Sequence, residues 1–398
     1  MKKKLIVFCD GTWNSADQKT KDDRPCPTNV LRMLQATQER SQGGDPQIVH
    51  YIAGVGTKFS ERVWGGGFGF GISENIRNAY SFIVSNYDDG DEIFLLGFSR
   101  GAFTARSIAG FIRNMGILRR DRLNLVGEAY DHYRDTGDKW HPDSKESAAF
   151  RAANAHPDAT TNIAFLGVWD TVGALGAPFG VVMSRLTDTL FHTRFHDVRL
   201  SSIILSAYHA LAIDERRWPF RPTLWELNDA HKQRIADACA RGEISPYEER
   251  WFPGVHSNVG GGYPESGLAD CALAWMIDRA GHHGLNFDTS DISLPTYKMD
   301  CTVDLEDSQT WYYRLLTFLF VYLQRPWLRN KGDPKDRVLL DFVRPNGDFL
   351  RPVRNQGELL AALKAFPELA GYEGEIADYA IERMCKIKDY RPSNVTWG

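Results

Sequence analysis

The sequence lacks the features that mark metal-binding, disulfide-rich and nucleic-acid-binding proteins. Its 398 residues include only six cysteines, and these show neither metal-ligand spacing nor a disulfide framework. The formal net charge of -4 at pH 7 argues against a general nucleic-acid binder, which is normally basic. We therefore expect reduced cysteines, as in a cytoplasmic protein, and no nucleic-acid partner.

The chain also lacks a hydrophobic run long enough to cross a membrane. Residues 1–9 begin like a signal peptide, but the apolar stretch ends at Asp10, which is too early for a signal core. The apolar stretch at residues 315–323 is far shorter than the roughly 20 residues of a spanning helix. The sequence predicts a buried first strand in a cytoplasmic protein, and it leaves open export by a signal-independent secretion system.

Short apolar runs and helical patterns alternate through much of the chain. Hydrophobic residues make up 43% of the sequence, which is enough for a sizeable core. The apolar runs lack polar alternation, as expected for parallel strands that are covered on both faces. We therefore predict an α/β fold, a mostly parallel central sheet flanked by helices. The predicted strands span residues 5–9, 48–52, 92–97, 162–169 and 251–255.

Two stretches interrupt this alternation. Residues from about 119 to 161 are polar and charged, and are predicted to form a surface insertion. Residues from about 177 to 200 are apolar, and are predicted to form a helical cap. Because the alternation fades after residue 285, we expect a catalytic domain over residues 1–285. Residues 286–398 are then a C-terminal segment that packs on this domain or caps it.

Ser99 is the predicted nucleophile. It lies in Gly97-Phe98-Ser99-Arg100-Gly101, which matches G-x-S-x-G and stands between a predicted strand and a predicted helix. In that setting a serine occupies a tight, strained turn at the carboxyl edge of the sheet, and the glycines let strand and helix approach closely. The alternative is a serine that only caps the turn.

The partners of this serine are predicted from chain order, which in this fold is serine, acid, histidine. Asp170 ends a predicted strand, where a carboxylate can hold an imidazole in one tautomer; a turn or helix cap is the alternative. His256 follows the last predicted strand and precedes three consecutive glycines, a pattern typical of a loop that approaches a site closely. His209 is the rival base, but residues 206–213 are predicted to be helical, which favours a structural role for it.

The predicted oxyanion hole has two donors. One is the amide of Arg100, the residue after the nucleophile. The other is assigned to Thr12, by its amide and its hydroxyl, in the turn after the first strand. A plain turn that Asp10 orients is the alternative. Since a serine triad needs neither a metal ion nor a cofactor, none is predicted.

Two further patterns suggest ligand sites only at first sight. The glycine-rich run at residues 65–71 precedes a helix, but it lacks the GK[ST] ending of a phosphate loop and does not fit G-x-G-x-x-G. We interpret it as a flexible loop near the site. His192 and His196 have the i, i+4 spacing of metal ligands, but no third ligand is evident, so a surface or cap role is predicted.

Several motifs occur together in a recognisable order. They are Phe8-Cys9-Asp10-Gly11-Thr12-Trp13-Asn14, Gly97-Phe98-Ser99-Arg100-Gly101-Ala102, Val168-Trp169-Asp170-Thr171-Val172-Gly173, Ala210-Leu211-Ala212-Ile213-Asp214-Glu215 and His256-Ser257-Asn258-Val259-Gly260-Gly261-Gly262-Tyr263. Over roughly residues 4–285 the chain resembles the α/β-hydrolase domain of uncharacterised proteins related to the type VI secretion phospholipase effectors. The resemblance implies a serine-esterase fold with Ser99, Asp170 and His256 as the triad, and phospholipase A activity as in the studied effectors.

We therefore expect a serine hydrolase of carboxylic esters that forms an acyl-enzyme, with lipids or phospholipids as substrates. The apolar residues 179–191 and the aromatic residues 311–327 suit an acyl chain and a peripheral contact with a membrane surface. Simple packing of both segments on the sheet is the alternative. A hydrolase of small esters or polyesters, and a non-catalytic binding protein that retains the fold, are the competing functions.

Overall fold

The computed structural model of the protein describes most of the chain up to residue 288. Among the described residues, no helix is long and apolar enough to span a membrane. The described residues are 2–12, 14–19, 22–55, 67–135, 137–157, 161–172, 200–215, 217, 220, 222–288, 299–305, 308, 383, 386 and 387.

A six-stranded sheet, parallel throughout, forms the centre of this part of the chain, with the strand order β2-β1-β3-β4-β5-β6. The order changes direction at β1, which pairs with β2 on one side and β3 on the other. In open α/β sheets, ligands bind beyond the carboxyl ends of the strands at such a point. The strands are β1 Lys4–Cys9, β2 Gln47–Ile52, β3 Glu92–Phe98, β4 Ile163–Trp169, β5 Ala207–Ala212 and β6 Tyr247–Phe252.

Helices cover both faces of this sheet, which explains why its strands are apolar without alternation. On β1, Leu5 and Val7 belong to one buried cluster, whereas Ile6 and Phe8 belong to the other. The helices are α1 Asn29–Ala36, α2 Gly67–Asn86, α3 Arg100–Met115, α4 Val126–Arg134, α5 Lys145–Asn154, α6 Asp229–Ala240, α7 His256–Gly260 and α8 Gly267–His282. The first cluster includes residues of α2 and α3, and the second includes residues of α1 and α8. This is the predicted α/β-hydrolase architecture.

The predicted insertion at residues 119–161 contains α4, α5 and two short 3-10 helices, Arg120–Leu125 and Asp138–Trp140. The first 3-10 helix has no buried residue, whereas α4 packs Tyr130 on Phe111 of α3, with ring centroids 5.5 Å apart. The segment therefore lies on the outside of α3. The predicted cap, apart from Leu200, and most of the C-terminal segment lie outside the described residues, so the proposed domain division stays a prediction.

The predicted helix at residues 206–213 is wrong, because these residues form β5. The hydrophobic periodicity of a short apolar run does not distinguish a strand from a helix, and the buried His209 interrupts this run in its middle. The last predicted strand, 251–255, is displaced: β6 spans Tyr247–Phe252. Its first half carries buried Glu248 and Glu249, so it does not form an apolar run in the sequence. Their partners, among them Arg279 and His209, are distant in sequence, and no local pattern shows them.

Candidate active site

Ser99 occupies the strained turn between β3 and α3. Its backbone has φ 57° and ψ -119°, a conformation that costs free energy for any residue other than glycine. A Cβ at Gly97 would lie 2.5 Å from the Gly101 carbonyl oxygen, and one at Gly101 would lie 2.1 Å from the Cys9 carbonyl oxygen. Both glycines of the motif are therefore needed for strand and helix to meet. The turn presents the Ser99 hydroxyl at the carboxyl edge of the sheet.

The side chains of Ser99, His256 and Asp170 form one hydrogen-bonded chain. The Ser99 Oγ lies 2.8 Å from Nε2 of His256, and Nδ1 of His256 lies 2.5 Å from Oδ2 of Asp170. The three residues come from the loops after β3, β6 and β4, which all end at the same edge of the parallel sheet. All three are buried, and Asp170 is fully buried. The geometry joins the three residues that the sequence singled out.

Asp170 is held by the neighbouring strand. Its backbone has φ 41°, a second strained position at this edge. Its N–H donates to the Ala210 carbonyl at 2.7 Å, and its Oδ1 accepts from the Ala212 N–H at 3.0 Å. One carboxylate oxygen is thus bound to the backbone at the end of β5, while the other faces His256. This arrangement fixes the direction of the carboxylate.

The His256 ring lies between two aromatic rings. Its centroid is 4.6 Å from that of Phe98 and 4.8 Å from that of Phe220. Burial lowers the pKa of His256 below its usual value, and the Asp170 carboxylate opposes this shift. The imidazole is therefore neutral at pH 7, with its Nε2 lone pair available to the Ser99 hydroxyl, which is the state that a general base needs.

Two carboxylates at the end of β5 hold the backbone that carries His256. Asp214 accepts a hydrogen bond from the Gly254 N–H at 2.7 Å, and Glu215 accepts one from the His256 N–H at 3.1 Å. Arg217 donates to Glu215 from both its side chain and its N–H, with the closest contacts at 2.7 Å. Asp214 and Glu215 close the motif Ala210-Leu211-Ala212-Ile213-Asp214-Glu215, but no role for them is predicted from the sequence. Adjacent acids at the end of a buried run were the available signal.

The loop after β1 lies beside Ser99 and carries Thr12. Asp10 binds this loop, since its carboxylate accepts from the Gly11 N–H at 2.7 Å, from Thr28 Oγ1 at 2.8 Å and from the Tyr51 hydroxyl at 2.8 Å. Burial raises the pKa of Asp10 to about 6, against the opposing effect of these hydrogen bonds. Asp10 thus orients the loop, which was the alternative to a direct role for Thr12, and both roles are compatible.

Thr12 has an unused hydroxyl in this loop. Among the described residues, its Oγ1 is buried without a hydrogen-bond partner. Gly54 packs against the same backbone, because a Cβ there would lie 1.7 Å from the Gly11 carbonyl oxygen and 3.0 Å from the Thr12 Cα. Arg100 begins α3 directly after Ser99, so its amide belongs to the first turn of that helix. Thr12 and Arg100 are the residues from which the sequence predicts the two oxyanion donors, and that role stays a prediction.

The remaining sequence candidates contribute no ligand site to the described part of the chain. His209 lies in β5, fully buried, with Nε2 accepting from the Thr171 N–H at 3.1 Å. Residues 67–71 of the glycine-rich run begin α2, whereas residues 65 and 66 lie outside the described residues, as do His192 and His196. Within the residues that the structure describes, no group of three His, Cys, Asp or Glu side chains is placed to hold a metal ion.

Comparison with known proteins supplies a family. The family model described as "T6SS, Phospholipase effector Tle1-like, catalytic domain" matches residues 3–279. The uncharacterized protein YEL023C of Saccharomyces cerevisiae is 27% identical over 275 residues, which cover 60% of this chain and 36% of the yeast protein. The chain thus spans about a third of the length of this curated relative.

Two solved structures are similar at lower identity. One is an uncharacterized protein from Pseudomonas aeruginosa, with 17% identity and a TM-score of 0.43; the match covers 83% of this chain and 55% of that one. The other is the Tle1 effector bound to the VgrG spike of the type 6 secretion system, with 20% identity and a TM-score of 0.35. That match covers 66% of this chain and 51% of the effector chain, so this chain spans about half the length of each.

Proposed function

The chain belongs to the family of Tle1-like type VI secretion phospholipase effector catalytic domains, and from this membership we propose that it is a serine hydrolase of carboxylic esters. Ser99 is the proposed nucleophile, His256 the general base and Asp170 the residue that orients the histidine. The observation that carries the proposal is the hydrogen-bonded chain of these three side chains at one edge of the sheet.

The proposed reaction has two halves. The Ser99 Oγ attacks the ester carbonyl carbon while its proton passes to Nε2 of His256. The resulting tetrahedral intermediate collapses, the bond from carbon to the leaving oxygen breaks, and His256 returns the proton to that oxygen to release the alcohol. Water then attacks the acyl-Ser99 with His256 as base, which releases the acid and the free serine. Asp170 stabilises the imidazolium in both halves.

The proposed oxyanion hole uses backbone donors. The amide of Arg100 lies at the amino end of α3, where a developing negative charge is favoured. Thr12 contributes its amide and its hydroxyl, and the unpartnered Oγ1 among the described residues supports this assignment. Asp10 and Gly54 hold the loop that positions Thr12.

The proposed substrates are lipids or phospholipids, and the description of the family supports this class. Contact with a membrane surface through residues 179–191 and 311–327 remains a prediction, because these residues lie outside the described part of the chain. A cytoplasmic location and export by a signal-independent secretion system are also predictions, which fractionation of producing cells would test. Small esters or polyesters are the alternative substrates.

The test of the nucleophile is labelling with a fluorophosphonate probe. We expect the wild type to be labelled and Ser99→Ala not to be labelled, with ester hydrolysis reduced by about 10⁴-fold or more. Ser15→Ala, which changes a serine that bonds Asp17 at the surface, is the control and should react like the wild type. Equal labelling of Ser99→Ala and the wild type would contradict the proposal and favour a non-catalytic binding protein.

The test of the substrate class is an ester series of increasing acyl length, together with sedimentation of the protein with liposomes. Each buried methylene contributes about 0.8 kcal/mol, so a lipid-binding site should favour long acyl chains strongly. A preference for two-carbon to four-carbon esters without liposome binding would replace the lipid proposal by the small-ester alternative. The proposed role of Ser99 would survive that result.

A further inference from the structure

His209 belongs to a buried polar network behind Asp170. It lies on β5 between Val168 of β4 and Glu249 of β6, its partners in strand register. Residues in register on parallel strands point to the same face of the sheet, and Nδ1 of His209 lies 3.3 Å from Oε1 of Glu249. His209 is 0% exposed. Its polar atoms are therefore satisfied by protein groups.

The hydrogen bonds define the tautomer of this histidine. Nε2 accepts from the Thr171 N–H at 3.1 Å, so it carries no proton. The proton of the neutral ring is then on Nδ1, where it donates to the carboxylate of Glu249. Oε1 of Glu249 also accepts from the backbone N–H of Trp225 at 3.0 Å, which fixes the carboxylate. The arrangement has room for one tautomer only.

The peptide that His209 binds comes directly after Asp170. The Thr171 N–H donates to His209, and the Thr171 carbonyl accepts from the Thr223 N–H at 3.1 Å. Asp170 itself has φ 41°, so its turn is strained and depends on the groups around it. Thr171 thus anchors the far side of the turn that directs the Asp170 carboxylate at His256.

We propose that His209 is a positioning residue for the reaction: as a neutral acceptor for the Thr171 N–H, it keeps the Asp170 turn in the conformation that orients His256. The inference rests on the proposed function, because it assigns to His209 an effect that passes through Asp170. His209 is the residue that rivalled His256 as a candidate base, and the structure assigns it a different task. It makes no proton transfer to the substrate.

Protonation would reverse this interaction. A charged His209 has N–H groups on both ring nitrogens, so Nε2 would face the Thr171 N–H as a second donor. The charged and titratable groups around the ring are Glu249 from β6, Asp170 from the loop after β4 and Arg106 from α3. Burial lowers the pKa of His209, and Glu249 opposes this shift. We therefore expect the acid limb of the pH profile of activity to be steeper by one proton. This proton binds to His209 and adds to those bound by His256 and the other titrating groups.

The test compares the pH dependence of kcat/KM in wild type, His209→Gln and His209→Ala. Glutamine places an uncharged oxygen near the position of Nε2, so His209→Gln should keep activity at pH 7.5 within about 3-fold. Its acid limb should be less steep than that of the wild type by one proton. His209→Ala removes the acceptor, and we expect kcat to fall by about 10-fold or more while KM changes little.

His283→Gln is the matched control. His283 is partly buried and, like His209, has a lowered pKa, but it bonds the Tyr208 hydroxyl and lies near Lys4 and Glu92, at the opposite edge of the sheet. Its substitution should leave kcat and the acid limb unchanged. Wild-type kcat and an unchanged acid limb in both His209 variants would overturn the inference. If His209→Ala does not fold, the acid limb of His209→Gln decides.

A measurement without turnover separates this inference from the proposed function. Nitrogen-15 NMR of the ring nitrogens of His209, recorded in Ser99→Ala, should show the neutral Nδ1–H tautomer at pH 7. An Nε2–H tautomer or a charged ring at that pH would overturn the inference, whatever the probe shows at Ser99. If instead the tautomer is as expected and Ser99 is not labelled, the proposed function fails and the positioning role fails with it.

Discussion

The backbone N–H of His256 donates a hydrogen bond to the buried carboxylate of Glu215, 3.1 Å away. The same carboxylate binds Arg217, whose guanidinium lies 3.7 Å from the centroid of the Phe220 ring. The Phe220 ring in turn contacts the His256 ring. The histidine is therefore held at its backbone by Glu215 and contacted at its ring by Phe220, and Arg217 touches both of these residues. Glu215 is the last residue of the motif Ala210-Leu211-Ala212-Ile213-Asp214-Glu215.

We predict that Glu215→Ala lowers kcat by roughly 10- to 100-fold with little change in KM, because a displacement of His256 by a fraction of an ångström weakens proton transfer from Ser99. Glu215→Gln keeps an acceptor for the His256 N–H and should restore part of the loss. Steady-state kinetics on a soluble ester measure both. Glu243→Ala is the matched control, since Glu243 also pairs with an arginine two positions away, Arg241, but at the surface. Equal kinetics for Glu215→Ala and the control would show that the bond to His256 is dispensable.

We predict that Asp10→Ala slows the reaction by about 10²-fold or more in kcat, the loss expected when an oxyanion donor is displaced. Without the carboxylate, the Gly11 N–H and the hydroxyls of Thr28 and Tyr51 lose their common acceptor, and the loop that carries Thr12 moves. The rate of fluorophosphonate labelling should fall together with kcat. Asp17→Ala, in the same loop but exposed and bonded to Ser15, is the control. If both variants react at the wild-type rate, this loop does not position a donor.

A third prediction concerns Gly54, which packs against the backbone of the loop that carries Thr12. An alanine there places its Cβ 1.7 Å from the Gly11 carbonyl oxygen, so the loop must shift. We expect Gly54→Ala to lower kcat by about 10²-fold. Gly127→Ala is the control: a Cβ at this position in α4 meets nothing within 4 Å, so activity should be unchanged. Wild-type kcat in Gly54→Ala would mean that Thr12 tolerates the shift and is no oxyanion donor.

The parts of the fold that sequence alone predicted share one physical feature. β1, β3 and β4 are uninterrupted apolar runs because both faces of the sheet are covered, and such runs are recognisable without alignment. β5 and the start of β6 were missed because they carry His209, Glu248 and Glu249. These polar groups are buried with partners on other elements, and no local pattern shows such partners.

The candidate site likewise contains residues that the sequence predicted and residues that it did not. Ser99, Asp170 and His256 stand within two residues of the ends of predicted strands, so a parallel sheet brings them to one edge, where the structure places them in contact. Asp214 and Glu215 act on backbone N–H groups 40 and 41 residues later in the chain. The sequence shows that two acids follow an apolar run, but not which peptide groups they face, since that depends on how two loops pack.

The last prediction concerns stability against acid, and it follows from the buried histidines. Burial lowers the pKa of His209 and of His256, and it lowers the pKa of His283 to about 4. In the unfolded chain a histidine has a pKa near 6.5. As the pH falls below this value, the unfolded state binds protons that the folded state does not, so the free energy of unfolding decreases. Each fully buried histidine contributes up to about 1.4 kcal/mol per pH unit in this window.

Asp10 acts in the opposite direction, because its pKa is raised to about 6 in the folded protein, and between about pH 6 and 4 the folded state binds the extra proton. Since His209, His256 and His283 oppose this single carboxyl, we predict a net loss of stability between pH 7 and pH 5.5. Urea unfolding at several pH values measures it. His209→Gln should lower the slope of the free energy of unfolding against pH by up to one proton. Stability that rises as the pH falls from 7 to 5.5 would contradict this prediction, because it would mean that Asp10 outweighs the three histidines or that these histidines are charged in the folded protein.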